Sequence, residues 1–198
     1  MRVNDHYHRP KRKIIQKVME ARGENPKKCV SQPDLDKLSE LDSVRDVFRA
    51  TNLDHHALNL RLCDDDPPDC QANDREGNLV GWEVTGIYDQ DVERINAQAQ
   101  TIKEMFYRDW TEEDLMAKIT RLIHEKDAKI ANMRAKRSDW PYAYVNLVIV
   151  TDELAIPTKM AESMRDRFVG VEAENIKEAY LLLGYDPNIQ RRPCIRIR

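Results

Sequence analysis

Glycine is scarce in this chain: six residues in 198, each standing alone. That excludes a glycine-rich loop folded around a phosphate. The four cysteines, Cys29, Cys63, Cys70 and Cys194, form no Cys-x-x-Cys pair, which removes the common zinc and dithiol-redox motifs. No apolar run approaches the roughly 20 residues needed to cross a bilayer. The opening stretch, MRVNDHYHRPKRKIIQKV, has no apolar core of the kind a signal peptide needs. Together these absences describe a cytoplasmic protein with reduced cysteines and no membrane partner. No Gly-x-Ser-x-Gly or Cys–His pattern supports nucleophilic catalysis, and there are no internal repeats or low-complexity tracts. His6-x-His8 and His55-His56 lack cysteine or carboxylate partners at a metal-binding spacing, so they read as surface histidines.

Charge is what the chain has in quantity. Charged residues make up 34% of it, with a mean hydropathy of −0.72 and a formal net charge of −3. The small net value hides an asymmetry. Arg2, Arg9, Lys11, Arg12, Lys13, Lys17, Arg22, Lys27 and Lys28 crowd the N-terminal region, and Arg191, Arg192, Arg196 and Arg198 repeat the sign at the other end. Between them, 34–93 is strongly acidic, with Asp64-Asp65-Asp66 at its centre. Basic ends around an acidic middle suit phosphate-binding arms, with Arg12, Lys13 and Lys17 as nucleic-acid contacts. Plain solvation explains any one of these residues equally well.

The length suits one α/β domain of ordinary size with an extension. We expect a basic N-terminal extension over 1–32 and a single domain over 33–198. A short helix is expected over 10–22, then a linker over 23–33 with Pro26 and Pro33 as breakers. Leu38, Leu41 and Phe48 mark an amphipathic helix over 34–50, and 58–63 reads as a strand. Helices follow over 91–106 and 110–137. Tyr144 to Val150 reads as a buried strand, Pro157 opens a helix to about Phe168, and 179–183 and 194–197 read as short final strands.

The most specific pattern runs from Asp64 to Asp89, DDDPPDCQANDREGNLVGWEVTGIYD. Asp74-Arg75-Glu76-Gly77-Asn78 is turn chemistry, since Gly77 and Asn78 both tolerate positive φ. Trp82, Val84 and Ile87 carry the weight of a buried strand. Asp69 would enter the first strand of a hairpin, and Glu83 would sit inside the second. Two carboxylates converging at one end of a sheet suit a divalent cation with oxygen ligands, Mg²⁺ or Mn²⁺.

Pro68-Asp69, a short hairpin and then Glu83-Val84-Thr85 resembles the signature of the PD-(D/E)xK nuclease superfamily. It is nearest to bacterial members that read DPPD and then Gly-x-Glu-Val-Thr. The resemblance spans roughly the middle half of the chain, through Trp110-Thr111 and Lys126-Asp127-Ala128-Lys129 to the strand near Leu147. It implies a restriction-endonuclease-like core, a mixed central sheet flanked by helices. It further implies metal ligation by Asp69, Glu83 and the Val84 carbonyl, and a lysine that positions the attacking water. Such enzymes often take one more acid from the helix before the sheet, where Glu40 and Asp42 both stand. Thr85 occupies the place of the signature lysine and could hold only a water in an outer shell.

The following helix is where a relocated lysine would come from. Thr111 is its N-cap, with Glu112, Glu113 and Asp114 in the first turn. At about 100° per residue, Leu115, Ile119, Leu122, Ile130 and Met133 share one stripe, with Lys126 near its middle, Lys129 at its edge and His124 opposite. A lysine on a core-facing stripe is unusual without a partner. It either snorkels to water or reaches Glu83 and the scissile phosphate. Lys129, Lys118 and Lys103 are the further candidates.

The expectation is therefore a Mg²⁺- or Mn²⁺-dependent nuclease that hydrolyses phosphodiester bonds of nucleic acid, in the first instance DNA. The alternative is a catalytically silent nuclease-like domain that binds nucleic acid or a protein partner. A structural subunit that docks its basic tail on an acidic partner is a third option. The pattern leaves open DNA against RNA, endo- against exonuclease action, and whether a homodimer forms.

Overall fold

The computed structural model describes residues 32–63, 67–87, 92, 109–151, 156 and 158–198. Contacts group the chain into two compact units, Met1–Leu35 with Asp89–Arg108, and Asp36–Tyr88 with Asp109–Arg198. The sheet and everything below belong to the second. Elements run α1 (Gln32–Ala50), β1 (Arg61–Leu62), β2 (Cys70–Asn73), β3 (Leu79–Gly86), α2 (Glu112–Lys136), β4 (Tyr144–Val150), α3 (Thr158–Ser163), a 3₁₀ helix (Arg165–Gly170), β5 (Ile176–Leu182) and β6 (Cys194–Arg196).

This is an α/β fold. The six strands form one mixed sheet in chain order, parallel across β3, β4 and β5 and antiparallel elsewhere. Parallel neighbours need a crossover. Helix α2 lies in the connection from β3 to β4, and α3 with the 3₁₀ helix in that from β4 to β5.

Strand alternation sorts side chains between two cores. On one face Val44, Val47 and Phe48 of α1 cover Val80, Trp82, Val148 and Tyr180. On the other, Leu115, Ile119 and Ile123 of α2 cover Ile87, Leu147, Ile149 and Leu181. Covered on both faces, β4 is buried from Val145 to Ile149, which explains why it is apolar on both faces apart from Asn146. Each fully buried Leu or Ile contributes about 1.5–3 kcal/mol by leaving water.

Helix α2 begins as its sequence requires. Thr111 caps it, its hydroxyl accepting the Asp114 N–H at 3.1 Å, and three carboxylates occupy the first turn. The expected stripe is buried at Leu115, Ile119, Leu122 and Ile130. Ile123 joins it, while Met133 is only half-buried.

Several boundaries differ from expectation. Pro33 lies in the first turn of α1 instead of breaking the chain, where its missing N–H costs nothing. The strand expected over 58–63 shrinks to Arg61–Leu62 because Asp54 organises a turn. Its carboxylate accepts the His56 and Ala57 N–H groups, and Asn59 adopts φ +53°. In the hairpin turn only Gly77 has positive φ, at +88°. Asn78 instead spends its backbone N–H and its amide on the Asp74 carboxylate. The helix expected to reach Phe168 tightens after Ser163, with the Arg167 N–H on the Met164 carbonyl three residues back. The basic helix over 10–22, with Arg12, Lys13 and Lys17, lies outside the described residues, as do the helix over 91–106 with Lys103, and Asp64–Asp66. No helix among the described residues is long and apolar enough to cross a membrane.

Candidate active site

The register of β2 and β3 sets Cys70 opposite Trp82. One step further, Asp69 falls opposite Glu83. Cys70 and Trp82 belong to the core under α1, so alternation turns Asp69 and Glu83 together toward α2. Asp69 stands just before β2 rather than within it. Its carbonyl accepts the Cys63 N–H at 2.9 Å, and its carboxylate Oδ2 accepts the Val84 N–H at 2.6 Å. The second bond ties the Asp69 carboxylate to the strand that carries Glu83.

The β2–β3 ladder begins at Cys70, so Pro68 lies outside it. A residue's N–H and C=O point to the same edge of a strand, so the Val84 carbonyl faces the edge where the Asp69 carboxylate binds.

Gly81 has a part that sequence reading did not assign. A Cβ there would stand 2.8 Å from Pro68 Cγ and 3.2 Å from Val145 Cγ2. Only glycine lets Pro68 lie on β3 this closely. Gly81→Ala should cost about 1–3 kcal/mol through overpacking and push Asp69 away from Val84. Urea denaturation tests this, and an unchanged midpoint would show that Pro68 yields freely.

Glu83 is 1% exposed. Its Oε1 accepts Lys126 Nζ at 2.6 Å and Lys129 Nζ at 3.3 Å. The lysine side chains are 21% and 42% exposed respectively, so Lys126 is the closer and better-buried partner. Glu83 Oε2 is buried and has no hydrogen-bond donor among the described residues. A buried carboxylate oxygen without a donor is costly unless something else satisfies it. Lys118 lies two turns earlier on α2, roughly 12 Å along the axis.

Asp127 explains why Lys126 is aimed as it is. Its Oδ1 accepts the Asn175 and Ile176 N–H groups at 2.7 and 3.1 Å. This bond pair fixes the roll of α2 against the start of β5. It also explains why β5 begins at Ile176, three residues before its apolar run.

Among the remaining candidates, Thr85 shares the Glu83 face two residues on and is half-buried. Burial, then the Asp69 carboxylate, push the Cys70 thiol well above its usual range, with a smaller push from Glu40, so Cys70 is not a nucleophile. Asp42 is exposed and binds Arg45 at 2.9 Å. Cys63 and Cys70 are buried and form no disulfide among the described residues, and His124 is exposed as expected.

Two carboxylates and a strand carbonyl are hard oxygen donors, the kind that Mg²⁺ or Mn²⁺ takes with waters completing the shell. No group of three or more His, Cys, Asp or Glu that could hold a metal ion occurs among the described residues. No family model, curated protein or solved structure matches this chain.

Proposed function

We propose that this protein hydrolyses phosphodiester bonds of nucleic acid, in the first instance DNA, at a Mg²⁺- or Mn²⁺-dependent centre. One observation carries the reading. Glu83 is a buried carboxylate with one oxygen on lysine and the other without a hydrogen-bond donor among the described residues. Asp69, Glu83 and the Val84 carbonyl would hold the cation, which lowers the pKa of a bound water and offsets charge on the phosphate. Lys126 takes the part of the lysine missing at Thr85, from α2 instead of from β3. Its ammonium would orient the attacking water and counter the charge that develops on the phosphate oxygens. Lys129, more exposed, would meet the phosphate from the rim. Thr85 would position a water beyond the metal ligands.

The order α1, three strands, α2, β4 supports a restriction-endonuclease-like core with this centre at its heart. Arg12, Lys13 and Lys17 would add phosphate contacts whose strength falls with salt.

A specific observation favours the second reading, a silent domain that only binds. Both lysines already engage Glu83 Oε1, and a lysine tied to a carboxylate is not facing a phosphate. Supercoiled plasmid and labelled single strands, incubated with Mg²⁺, Mn²⁺ or EDTA, separate the two. Cleavage that needs the metal is the expected result. Strand binding indifferent to EDTA, with no cleavage from folded protein, would replace the hydrolytic reading with the silent one.

A further inference from the structure

Helix α2 does not cover the whole of its face of the sheet. The core beneath it takes its strand residues from β4, β5 and β6. The buried residues of β2, Cys70 and Ala72, belong to the α1 side. On the α2 side β2 carries the half-buried Gln71 and Asn73, and β1, an edge strand, carries the exposed Arg61. A polar shelf therefore runs from Asp69 and Glu83 out to the edge of the sheet.

Arg61 stands opposite Gln71 in the β1–β2 register, and Asp69 is its diagonal neighbour, about 7–8 Å away between backbones. The Gln71 amide has one orientation that satisfies both of its ends. Its oxygen accepts Arg61 Nε at 2.6 Å and Arg61 Nη2 at 3.0 Å, and its nitrogen donates to the Tyr142 hydroxyl at 3.3 Å. The Tyr142 hydroxyl in turn meets the Cys63 thiol at 3.4 Å. Cys63 gives its backbone N–H to the Asp69 carbonyl at 2.9 Å, so the chain of bonds that aims Arg61 ends beside the metal-binding carboxylate.

An exposed arginine ordinarily keeps its rotamer freedom. A charge that merely guards an edge strand needs no holding. This one is gripped at two nitrogens by a neutral amide and meets no carboxylate among the described residues. Its charge is kept, its plane is fixed, and three of its five N–H groups remain for another acceptor. A phosphate matches that fork.

We propose that a nucleic-acid strand leaves the metal centre across β2 and β1, and that Arg61 holds one of its phosphates beside the scissile one, with Gln71 as its positioning residue. Lys126 and Lys129 border the same path from α2. This path rests on the reading of the centre as one that takes nucleic acid, and it holds whether or not the strand is cut.

The test is binding of a labelled DNA duplex, followed by fluorescence anisotropy in EDTA at several salt concentrations. Arg61→Gln should weaken binding about tenfold or more and reduce the slope of log K against log salt by about 0.9, the share of one phosphate contact. Its urea midpoint should stay at the wild-type value, since the side chain is exposed. Arg61→Lys should keep the slope and recover only part of the affinity, because an ammonium cannot make the fork. Gln71→Leu should also keep the slope and lose affinity, because the charge stays while its aim is lost. Arg75→Gln, at an exposed arginine of the β2–β3 turn, measures the loss that any surface charge would give. A loss in Arg61→Gln no larger than that, or a wild type that does not bind, overturns the proposal. Cleavage of plasmid by the wild type separates the two readings. Cleavage with binding unchanged in Arg61→Gln removes Arg61 alone, and binding weakened in Arg61→Gln without any cleavage removes hydrolysis alone.

Discussion

Glu83→Gln should lower metal-dependent cleavage about 10³-fold or more and leave the protein folded. The magnitude follows from the several kcal/mol that a bound cation supplies to the transition state, at 1.36 kcal/mol per tenfold in rate. Glutamine keeps the shape of the side chain and can still accept a hydrogen bond from Lys126. It lacks the charge that would draw a cation into a pocket already holding an ammonium. Lys126 is 21% exposed, so it can extend its head toward water once its counter-charge is gone. The stability change should therefore be small, about 1 kcal/mol. Single-turnover cleavage and Mn²⁺ titration calorimetry test the two halves. A variant that cleaves within tenfold of wild type would remove Glu83 from the centre. Asp69→Asn should act in the same direction, though less cleanly, since its amide would also disturb the Val84 N–H bond at 2.6 Å.

How much of this was legible in the sequence depends on whether the signal is local. Thr111 with its three following acids names a helix start, and the apolar run of β4 names a doubly covered strand. Both are fixed by neighbours a few residues away, and both match. The hairpin was legible for the same reason, because Asp74 and Gly77 set the turn and the turn sets the register. Once the register is given, Asp69 must face Glu83. Lys126 was legible as an anomaly, a lysine on an apolar stripe. Its distance from Glu83 was not, because that depends on how α2 rolls against the sheet. The roll is set by Asp127 and the N–H groups of Asn175 and Ile176, some 48 residues away. Gly81 escaped notice because its reason is Pro68, in the segment that leads into β2. The shortened β1 escaped because Asp54 draws backbone donors into a turn that apolar periodicity does not register.

Lys126→Ala should be the most damaging single change at the site in stability, and should lower the rate as well. Removing one member of a buried pair leaves the other charged and unpaired, at about 3–5 kcal/mol. The loss should fall toward the lower end of that range, because Lys129 remains 3.3 Å from Glu83 Oε1. Lys129→Ala should cost under about 1 kcal/mol, since that side chain is 42% exposed and solvent screens it. The two lysines thus separate by stability before any substrate is added. The cause can be isolated by repeating Lys126→Ala in the Glu83→Gln background. No buried charge is then stranded, so most of the penalty should vanish, giving a coupling of about 0.5–3 kcal/mol. Metal supplies the link to function. A cation that binds the folded site stabilises it by mass action, and Glu83 deprived of Lys126 keeps only the longer Lys129 contact in competition with it. Mn²⁺ should therefore restore much of the stability lost in Lys126→Ala and do little for the double variant. Cleavage by Lys126→Ala should stay about 10²–10³-fold down even with metal bound, because the ammonium facing the phosphate is gone. If Mn²⁺ restores neither stability nor a measurable heat of binding, Glu83 is a structural carboxylate held by lysine and the silent reading takes over. If stability returns and cleavage returns with it, the metal is bound as proposed and the water-positioning lysine is Lys129.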